Sequence, residues 1–433
     1  MGRGDITWDC FPSRRALQLG PRNDEQRVSN MLAATWRLTH LLLRYRSMDI
    51  ATAARELHRK HRGKIFTGLS IPIENRDDLA LAYTPGVGQI SQDIAADPTA
   101  VDDYTIKRRT VAVITDGSAV LGLGNIGPLA ALPVMEGKAA LFKRFGDVDA
   151  FPICLDTQDV EEIIATVKRI APVFGGINLE DISAPRCFEI EQRLQAELDI
   201  PVLHDDQWGT AVVVLAALQN ACRVRGTTLT TAKIVINGAG AAGIAIARLL
   251  LTFGGTDLVL CDSHGPIYRG RPDTLGSKKE LAELTNIACH AGLDNPQCAI
   301  GTLADALTSA DVFIGVSKAD LLTADLIKQM ATQPIIFALA NPTPEIMPTV
   351  AKAAGAFIVA TGRSDFPNQV NNVLVFPGLF RGALDHRVQR FTPAMLINAA
   401  AALAALVPTP TVEQILPDPF TSGIAAAIAA AVK

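Results

Sequence analysis

TAKIVINGAGAAGIAIARLLL, residues 231–251, indicates the fold class of this chain. The run before the glycines is rich in β-branched residues and predicts a strand. Glycines at G-x-G-x-x-G spacing predict a tight turn, and the proline-free run after them predicts a helix. A second strand is predicted at residues 257–262 and ends in Asp262, 24 positions after Gly238. These four features together are typical of the βαβ unit that binds a dinucleotide.

This unit defines the expected cofactor contacts. Backbone amides at the start of its helix would hold a pyrophosphate, and Asp262 would accept hydrogen bonds from ribose hydroxyls. The expected loop residues are Gly238, Ala239, Gly240, Ala241, Ala242 and Gly243. The charge of Asp262 favours NAD because it would repel a 2′-phosphate. Arg269 and Arg271 follow closely and offset that charge, so NADP stays open as the alternative.

Three further strands with helix-like segments between them complete a doubly wound α/β sheet. They are predicted at residues 311–317, 334–339 and 356–361. Asn341 follows the second of these strands, and we expect its side chain at the cofactor cleft, although an asparagine before Pro342 is also typical of a turn. For Asn371 and Asn372, ahead of an apolar run, a turn role and a ligand role have equal weight.

Two acidic clusters follow short apolar runs, in GINLEDI (residues 176–182) and in PVLHDDQWGT (residues 201–210). If both runs are strands of one parallel sheet, their carboxylates lie close together at one edge. Neighbouring carboxylates repel and are costly to bury without a positive partner. A hard divalent cation such as Mg²⁺ or Mn²⁺ would supply it. The alternative is that these acids are helix caps or solvated loop charges.

DGSAVLGLGNIGP, residues 116–128, also has the G-x-G-x-x-G spacing, after a strand predicted at residues 110–115. A dinucleotide loop must open an uninterrupted helix, and Pro128 and Pro133 follow within six residues. We therefore interpret this loop as the wall of a pocket. The next helix is expected from Pro133 to Phe145.

Lys138 lies among small apolar residues of that predicted helix. Its stem either covers apolar surface while the amine stays exposed, or the amine is desolvated and its pKa lowered enough to accept a proton. Tyr83 lies at the edge of a Pro-Gly turn. A tyrosine there usually packs its ring and hydrogen-bonds outward. A catalytic tyrosine needs a partner that tunes it, and the local sequence contains none.

The composition excludes several classes of protein. The chain has 433 residues and a formal net charge of -4, which argues against a nucleic-acid surface. No apolar run is long enough to span a bilayer, and residues 423–432 are expected to form a docked helix. Acidic and basic residues interrupt any signal-peptide core near the N-terminus. The seven cysteines occur singly, so we expect reduced thiols, no zinc site and a cytoplasmic protein.

The expected organisation has four parts. Residues 1–47 form an N-terminal extension, in which 31–44 could be helical, and a fresh helical pattern starts at 50–60. Residues 48–210 form a substrate and metal domain. A long apolar helix, 211–223, then leads into the dinucleotide domain, 211–390. Ala-rich helices in residues 391–433 are expected to fold back over the rest.

Taken together, the motifs resemble the malic enzyme family, in particular its short bacterial form, over residues 55–430. The matching motifs are YTPGV (83–87), TDGSAVLGLGNIGP (115–128), PVMEGKA (133–139), NLEDI (178–182), HDDQWGTA (204–211), NGAGAAG (237–243), FALANPTPE (337–345) and SDFPNQVNNVLVFPG (364–378). Two positions depart from the family pattern. Trp208 stands where related bacterial sequences usually carry histidine, and Ala119 stands where larger relatives carry an arginine that binds a substrate carboxylate.

The resemblance implies a role for each candidate residue. Glu180, Asp181 and Asp206 would bind the metal, Lys138 would be the general base, and Tyr83 the general acid. The glycine loop and Asn341 would contact the dinucleotide. Asn371 or Asn372, together with Lys138, would contact the substrate. The resemblance also implies a homodimer.

The implied activity is oxidative decarboxylation of (S)-malate to pyruvate and CO₂, with reduction of NAD or NADP and a requirement for Mg²⁺ or Mn²⁺. Two alternatives use the same parts. A malolactic enzyme would retain NADH and release lactate, and a dinucleotide-sensing protein would bind without turnover. The sensing alternative predicts that one of the catalytic side chains is missing, and all are present.

Overall fold

A computed structural model describes residues 49–120, 122–289 and 298–433. The chain divides into two compact units, of which the first ends at Gly63 and the second begins at Lys64. In the first unit, the helix expected at residues 50–60 is confirmed as α1 (Ile50–His61). Its N-cap Asp49 accepts a hydrogen bond from the backbone N–H of Thr52 at 3.1 Å. The N-terminal extension and its expected helix lie outside the described residues.

The second unit alternates strands and helices around two sheets. Its first half contains α2 (Arg76–Ala82), α3 (Gly86–Ala96), α4 (Val101–Tyr104), β1 (Thr110–Thr115), α5 (Gly127–Leu141), β2 (Asp149–Cys154), α6 (Val160–Ile170), β3 (Gly176–Leu179), α7 (Arg186–Glu197), β4 (Val202–His204) and α8 (Asp205–Arg225). Its second half contains β5 (Lys233–Asn237), α9 (Ala241–Phe253), β6 (Asp257–Asp262), β7 (Gly265–Pro266), α10 (Ser277–Ala282), α11 (Leu303–Leu307), β8 (Val312–Gly315), α12 (Ala324–Lys328), β9 (Ile335–Ala338), α13 (Pro348–Ala353), β10 (Ile358–Thr361), α14 (Phe376–Asp385), α15 (Pro393–Ala405) and α16 (Ile424–Ala431).

The first sheet is parallel and has the strand order β2-β1-β3-β4. Its strand β1 is fully buried, as expected for a parallel strand covered on both faces. Strands β3 and β4 are neighbours, and Leu179 pairs with His204 at their carboxyl ends. The residues that follow these two strands are the two acidic clusters. The sheet therefore brings them together, as the sequence predicted.

The second sheet has the order β10-β9-β8-β5-β6-β7 and is parallel except for the short β7. This order, with β5 near the centre and helices in the connections, confirms the predicted doubly wound arrangement. Strand β6 has the predicted limits. Strands β8, β9 and β10 are each shorter than predicted by one or more residues at an end.

Helix α5 contradicts the expected break at Pro133. It begins at Gly127 and passes through Pro133, so the first glycine loop does open a helix. A proline inside a helix removes the hydrogen bond to the carbonyl four residues earlier. That carbonyl belongs to Leu129, a residue in the first turn of the helix that is 87% exposed. The Pro133 carbonyl in turn accepts a hydrogen bond from Lys64 Nζ at 2.7 Å.

Helix α8 is the apolar helix expected at residues 211–223, and it starts six residues earlier, at Asp205. Val212, Leu215 and Leu218 on it are completely buried. The helix packs against α9 and α15 and belongs to the largest apolar core of the unit. Because its first turn carries the second acidic cluster, the same helix joins that cluster to the core.

The C-terminal helices fold back as predicted. Helix α16 packs closely against α14, where a Cβ atom added to Gly382 would lie 2.6 Å from the Ala429 carbonyl oxygen. Near the chain end, Val432 is buried and its carbonyl is hydrogen-bonded with His386 Nδ1 at 2.6 Å. None of the helices in the described ranges combines the length and apolar character needed to cross a bilayer.

The expectation that all cysteines are reduced thiols is wrong for one pair. Cys289 and Cys298 form a disulfide, with their Cα atoms 4.7 Å apart. The two residues are nine positions apart in sequence, and the scattered cysteines of the sequence gave no sign that these two would pair. Four other cysteines are free, namely Cys154, Cys187, Cys222 and Cys261. Cys10 lies outside the described residues.

Candidate active site

Three carboxylates from the two acidic clusters lie within reach of one ion. Glu180, Asp181 and Asp206 each place one carboxylate oxygen within 4.8 Å of the others. Glu180 and Asp181 are buried, whereas Asp206 is partly exposed. Divalent cations bind oxygen ligands at about 2.0–2.6 Å, so oxygens at this spacing can share one ion. The donor set of hard, anionic oxygens fits Mg²⁺ or Mn²⁺.

The backbone fixes the position of Asp181. Its φ of 54° lies in the left-handed region, which is uncommon for a residue other than glycine. Its N–H donates to Asp206 Oδ2 at 2.8 Å, and its carbonyl accepts from the Ala119 N–H at 2.9 Å. Two hydrogen bonds to separate segments therefore hold this conformation. One of them ties Asp181 directly to the second cluster.

Lys138 lies beside the carboxylates. Its side chain is only 8% exposed, and its Nζ atom is 2.9 Å from Glu180 Oε1 and 2.5 Å from Asp205 Oδ2. The ring of Phe376 covers the ammonium group from 4.1 Å. The interpretation that Lys138 is desolvated is therefore confirmed, and the interpretation that its amine is exposed is wrong.

The expected direction of the Lys138 pKa is wrong for this arrangement. Burial lowers the pKa, but the charges of Asp205 and Glu180 outweigh burial and raise the pKa above its ordinary value. For the carboxylates, burial is the larger cause and raises the pKa of Glu180, Asp205 and Asp206, while Lys138 opposes the rise. These three carboxylates thus share Lys138, and a divalent cation would add positive charge to the same group.

Asp205 is a site residue that sequence reasoning missed. It is fully buried, and its Oδ2 atom accepts hydrogen bonds from Lys138 Nζ and from the Asn372 amide. Gly209 leaves room for it, because a Cβ there would lie 1.9 Å from Asp205 Oδ1. The signal in the sequence was the Asp-Asp doublet itself. On a helix, two adjacent acids point in different directions, so each needs its own partner.

A cleft of about 560 Å³ adjoins this group and is lined by both halves of the second unit. The first glycine loop contributes Ser118, Ala119, Val120, Gly122 and Gly124, which confirms its interpretation as a pocket wall. Other predicted site residues in the lining are Asp206, Gly240, Ala241, Ala242, Asn341, Asn371 and Asn372. The structure therefore brings one metal candidate, Asp206, part of the glycine loop and the three asparagines to one cavity.

The second glycine loop has the close packing that its motif requires. Gly238 has a φ of 123°, and a Cβ on Gly243 would lie 1.7 Å from the Gly238 carbonyl oxygen. A side chain at either position is excluded by this geometry. The loop ends at Gly240, where α9 begins with its free N–H groups, and Gly240 lines the cleft. This cradle fits the pyrophosphate of a dinucleotide.

Asp262 forms ion pairs with two basic side chains. Arg271 donates to both carboxylate oxygens, at 3.0 and 2.6 Å, and Lys278 Nζ donates at 2.8 Å. Burial alone would raise the pKa of Asp262, but these hydrogen bonds outweigh it and hold the pKa far below its usual range. The charge expected to repel a 2′-phosphate is therefore largely neutralised. Asp262 lies outside the lining of the cleft described above.

The remaining candidates differ in placement. Tyr83 follows helix α2, is 66% exposed and is absent from the cleft lining, and the contacts of Lys138 described above do not include it. Asn371 caps a short 3₁₀ turn by accepting from the Val373 N–H at 2.9 Å. The amide of Asn372 instead donates to Asp205. Asn371 therefore has the turn role, and Asn372 contacts Asp205, a member of the acidic group formed by Glu180, Asp181, Asp205 and Asp206.

Comparison with known proteins matches both halves of the chain. The family model described as the N-terminal domain of malic enzyme matches residues 62–195, and that described as its NAD binding domain matches residues 208–433. The chain is 53% identical over 388 residues to a bifunctional malic/malolactic enzyme of Bacillus subtilis, covering 89% of this chain and 92% of that one. It is 47% identical over 357 residues to an NADP-dependent malic enzyme of Halomonas elongata, covering 82% of each.

A solved structure is also similar. The crystal structure of an NAD-dependent malic enzyme from Thermotoga maritima superposes with a TM-score of 0.83 at 49% sequence identity. The match covers 89% of this chain and 99% of that one. The similarity therefore extends over both sheets and the helices between them.

Proposed function

The chain belongs to the malic enzyme family, and from that premise we propose the chemistry of its site. It is an NAD(P)-dependent oxidoreductase that converts (S)-malate to pyruvate and CO₂. The observation that best supports this function is the shared location of Lys138 and the three carboxylates beside the cleft that also contains Gly240. A hydroxy acid in the cleft could touch both the acidic group and a nicotinamide.

We propose that Glu180, Asp181 and Asp206 hold the divalent cation. When bound, this ion would polarise the C1 carboxylate and C2 oxygen of malate, and the nicotinamide would accept the C2 hydride. Lys138 would take the proton of the C2 hydroxyl while in its neutral form, which requires that a bound cation offset the carboxylate charge that raises its pKa in the described structure. Asp205 and Phe376 would keep that amine in place, and Asn372 would link Asp205 to the cleft.

Tyr83 completes this proposal as the acid that protonates C3 after CO₂ has left. Tyr83 is exposed and is not among the residues that line the cleft. The assignment therefore rests on the YTPGV motif alone. Asn341 and the loop Gly238–Gly243 are proposed to contact the nucleotide.

Purified protein with malate and Mn²⁺ should reduce NAD or NADP and release CO₂ and pyruvate. Replacing Lys138 by alanine should lower turnover by about 10²-fold or more, because general-base catalysis contributes about that much. Lys143→Ala is a matched control, since Lys143 follows α5 closely and is 57% exposed. Full activity in the Lys138→Ala protein, or no reduction of either nucleotide by the wild type, would refute the proposal.

Malolactic conversion is the second candidate, favoured by the 53% identity to a relative named as bifunctional for both reactions. It would use the same acids and Lys138, and would return the hydride to pyruvate instead of releasing reduced nucleotide. Chromatography of the products separates the two: pyruvate with a stoichiometric amount of reduced nucleotide indicates the malic reaction, and lactate indicates the malolactic one.

For the nucleotide we propose NAD, because the strand after the glycine loop ends in an acid, Asp262, at the position that accepts ribose hydroxyls. NADP is the alternative that the Arg271 and Lys278 contacts to Asp262 support. Two cations beside one carboxylate would attract a 2′-phosphate more than repel it. The ratio of kcat/KM for the two nucleotides measures the preference directly.

We further propose a cytoplasmic homodimer. Large apolar side chains are exposed within residues 66–129, among them Phe66 (94%), Leu81 (79%) and Leu129 (87%), and a second copy would cover such a surface. The four free cysteines suit a reducing compartment, although the Cys289–Cys298 disulfide does not support that location. The predicted domain limits near residues 48, 210 and 390 remain part of this proposal.

A further inference from the structure

A further buried carboxylate, outside the acidic group, lies on helix α7. Glu191 is 5% exposed, and within the described ranges no lysine, arginine or histidine forms an ion pair with it, although the charge of Arg248 acts on it from farther away. Its Oε1 atom accepts from the His204 N–H at 2.7 Å. Its Oε2 atom accepts from Gln207 Nε2 at 3.0 Å and from Trp208 Nε1 at 3.1 Å. Burial raises its pKa to about 7, against the pull of these donors.

All three donors come from one five-residue segment, residues 204–208. The two residues between them are Asp205, which holds Lys138, and Asp206, which belongs to the candidate metal group. Burying a carboxylate that has no ion-pair partner raises the free energy of the folded state, and hydrogen bonds must offset that cost. The side chain therefore connects α7 to the β4–α8 turn at three points. Any rotation of that turn would move both aspartates and break these bonds.

Trp208 supplies one of these donors from a side chain that is otherwise apolar. The indole N–H can only donate, so it suits a carboxylate acceptor such as Glu191 Oε2.

We propose that Glu191 is a positioning residue for the malate site, holding Asp205 and Asp206 in place through the His204, Gln207 and Trp208 donors. The proposal rests on the proposed metal role of Asp206. It assigns to Glu191 no contact with substrate, nucleotide or cation. Its effect passes through the turn alone, which distinguishes it from the carboxylates of the acidic group.

The test compares Glu191→Gln with Trp208→Phe, using Glu189→Gln as the matched control. The glutamine keeps one acceptor oxygen and replaces the other by an amide NH₂ group, which can only donate and would face other donors. The phenylalanine keeps an aromatic ring and removes one donor. Glu189 lies on the same helix and is 58% exposed. Mn²⁺ affinity is measured on each full-length protein by electron paramagnetic resonance, without malate or nucleotide, and steady-state kinetics follow.

We expect Glu191→Gln to weaken Mn²⁺ binding by about 10–100-fold, the range found when groups that orient metal ligands are removed. The kcat/KM for malate should fall with it, the dissociation constant for the nucleotide should not change, and Trp208→Phe should show a smaller loss of the same kind. Glu189→Gln should match the wild type. A folded Glu191→Gln protein with Mn²⁺ affinity and KM within about twofold of the wild type, inside the usual error of such affinity comparisons, would overturn the proposal.

Measurements on the same variants and the wild type also cover two other outcomes. If Glu191→Gln does not fold, as judged by circular dichroism, unchanged Mn²⁺ affinity in Trp208→Phe overturns the proposal. If the wild type binds Mn²⁺ but does not turn over malate, the proposed function fails, and the Mn²⁺ affinities still decide the role of Glu191. A wild type that does not bind Mn²⁺ refutes both.

Discussion

At the scale of single residues, Asp205, which pairs with Lys138, gives the sharpest prediction. Replacing Asp205 by asparagine keeps the side-chain shape but removes the charge that lies 2.5 Å from Lys138 Nζ. We expect turnover of malate to fall by about 10²-fold or more, comparable to the loss of a general base, because the amine is no longer held in one position. Steady-state kinetics at saturating malate and nucleotide measure the change.

Asp325→Asn is the control for that prediction, since Asp325 is 85% exposed and pairs only with Lys328 in the described structure. It should leave kcat unchanged. An Asp205→Asn protein with kcat close to that of the wild type would show that Glu180 alone is enough to hold Lys138.

Asp262 predicts a pH dependence of stability. Its pKa is lowered in the folded protein by Arg271 and Lys278, so its stabilising effect is complete above the ordinary pKa of an aspartate, about 4. The effect is lost as the pH falls through the lowered value. Asp262→Asn should therefore melt below the wild type at neutral pH, and the two melting temperatures should converge at acid pH. A difference that is constant with pH would contradict this.

Residue-level prediction from sequence succeeded where spacing was informative. Glu180, Asp181 and Asp206 follow neighbouring strands, so a parallel sheet is enough to bring them together. The partners of Asp262 and the role of Asp205 depend on side-chain directions set by packing. A sequence motif does not specify side-chain directions, so the contacts of Asp205 and Asp262 were not predicted.

At the scale of helices and strands, the close crossing of α14 and α16 can be tested. A Cβ on Gly382 would lie 2.6 Å from the Ala429 carbonyl oxygen and 2.8 Å from the Ala429 Cα atom. Both are backbone atoms, so the helices must separate. We expect Gly382→Ala to destabilise the protein by about 1–3 kcal/mol, the usual cost of overpacking, as measured by denaturant unfolding.

Gly88→Ala is the matched control for this crossing. Gly88 lies in α3 with no heavy atom within 4 Å of its added Cβ. Alanine is the better helix former there, so the variant should gain up to about 1 kcal/mol. Equal effects of the two substitutions would show that the crossing has room to relax.

The pattern of residues predicted most of these elements. β1 and β6 have the expected limits because they are buried runs bounded by polar residues. The start of α5 was predicted wrongly, because the cost of Pro133 depends on whether the carbonyl left unbonded is exposed, and sequence does not reveal exposure. The limits of α8 were also missed, since its first turn carries acids that the apolar pattern excluded.

At the scale of the whole molecule, we expect a particle of twice the 46.0 kDa chain mass in solution. Leu81→Glu should shift that mass toward the monomer, because Leu81 is 79% exposed in the apolar stretch and a charge there would be buried on association. Sedimentation equilibrium measures the shift. Leu275→Glu is the control, at a leucine that is 78% exposed outside that stretch. A monomeric wild type would contradict the prediction.

The position of Trp208 has an optical consequence. The chain has three tryptophans, and Trp208 is the one in the described residues, with its indole bonded to Glu191 beside the acidic turn. Its fluorescence should respond to quenching by a paramagnetic ion nearby, and subtracting the emission of a Trp208→Phe protein isolates that signal. Wild-type protein can thus be titrated without an added dye.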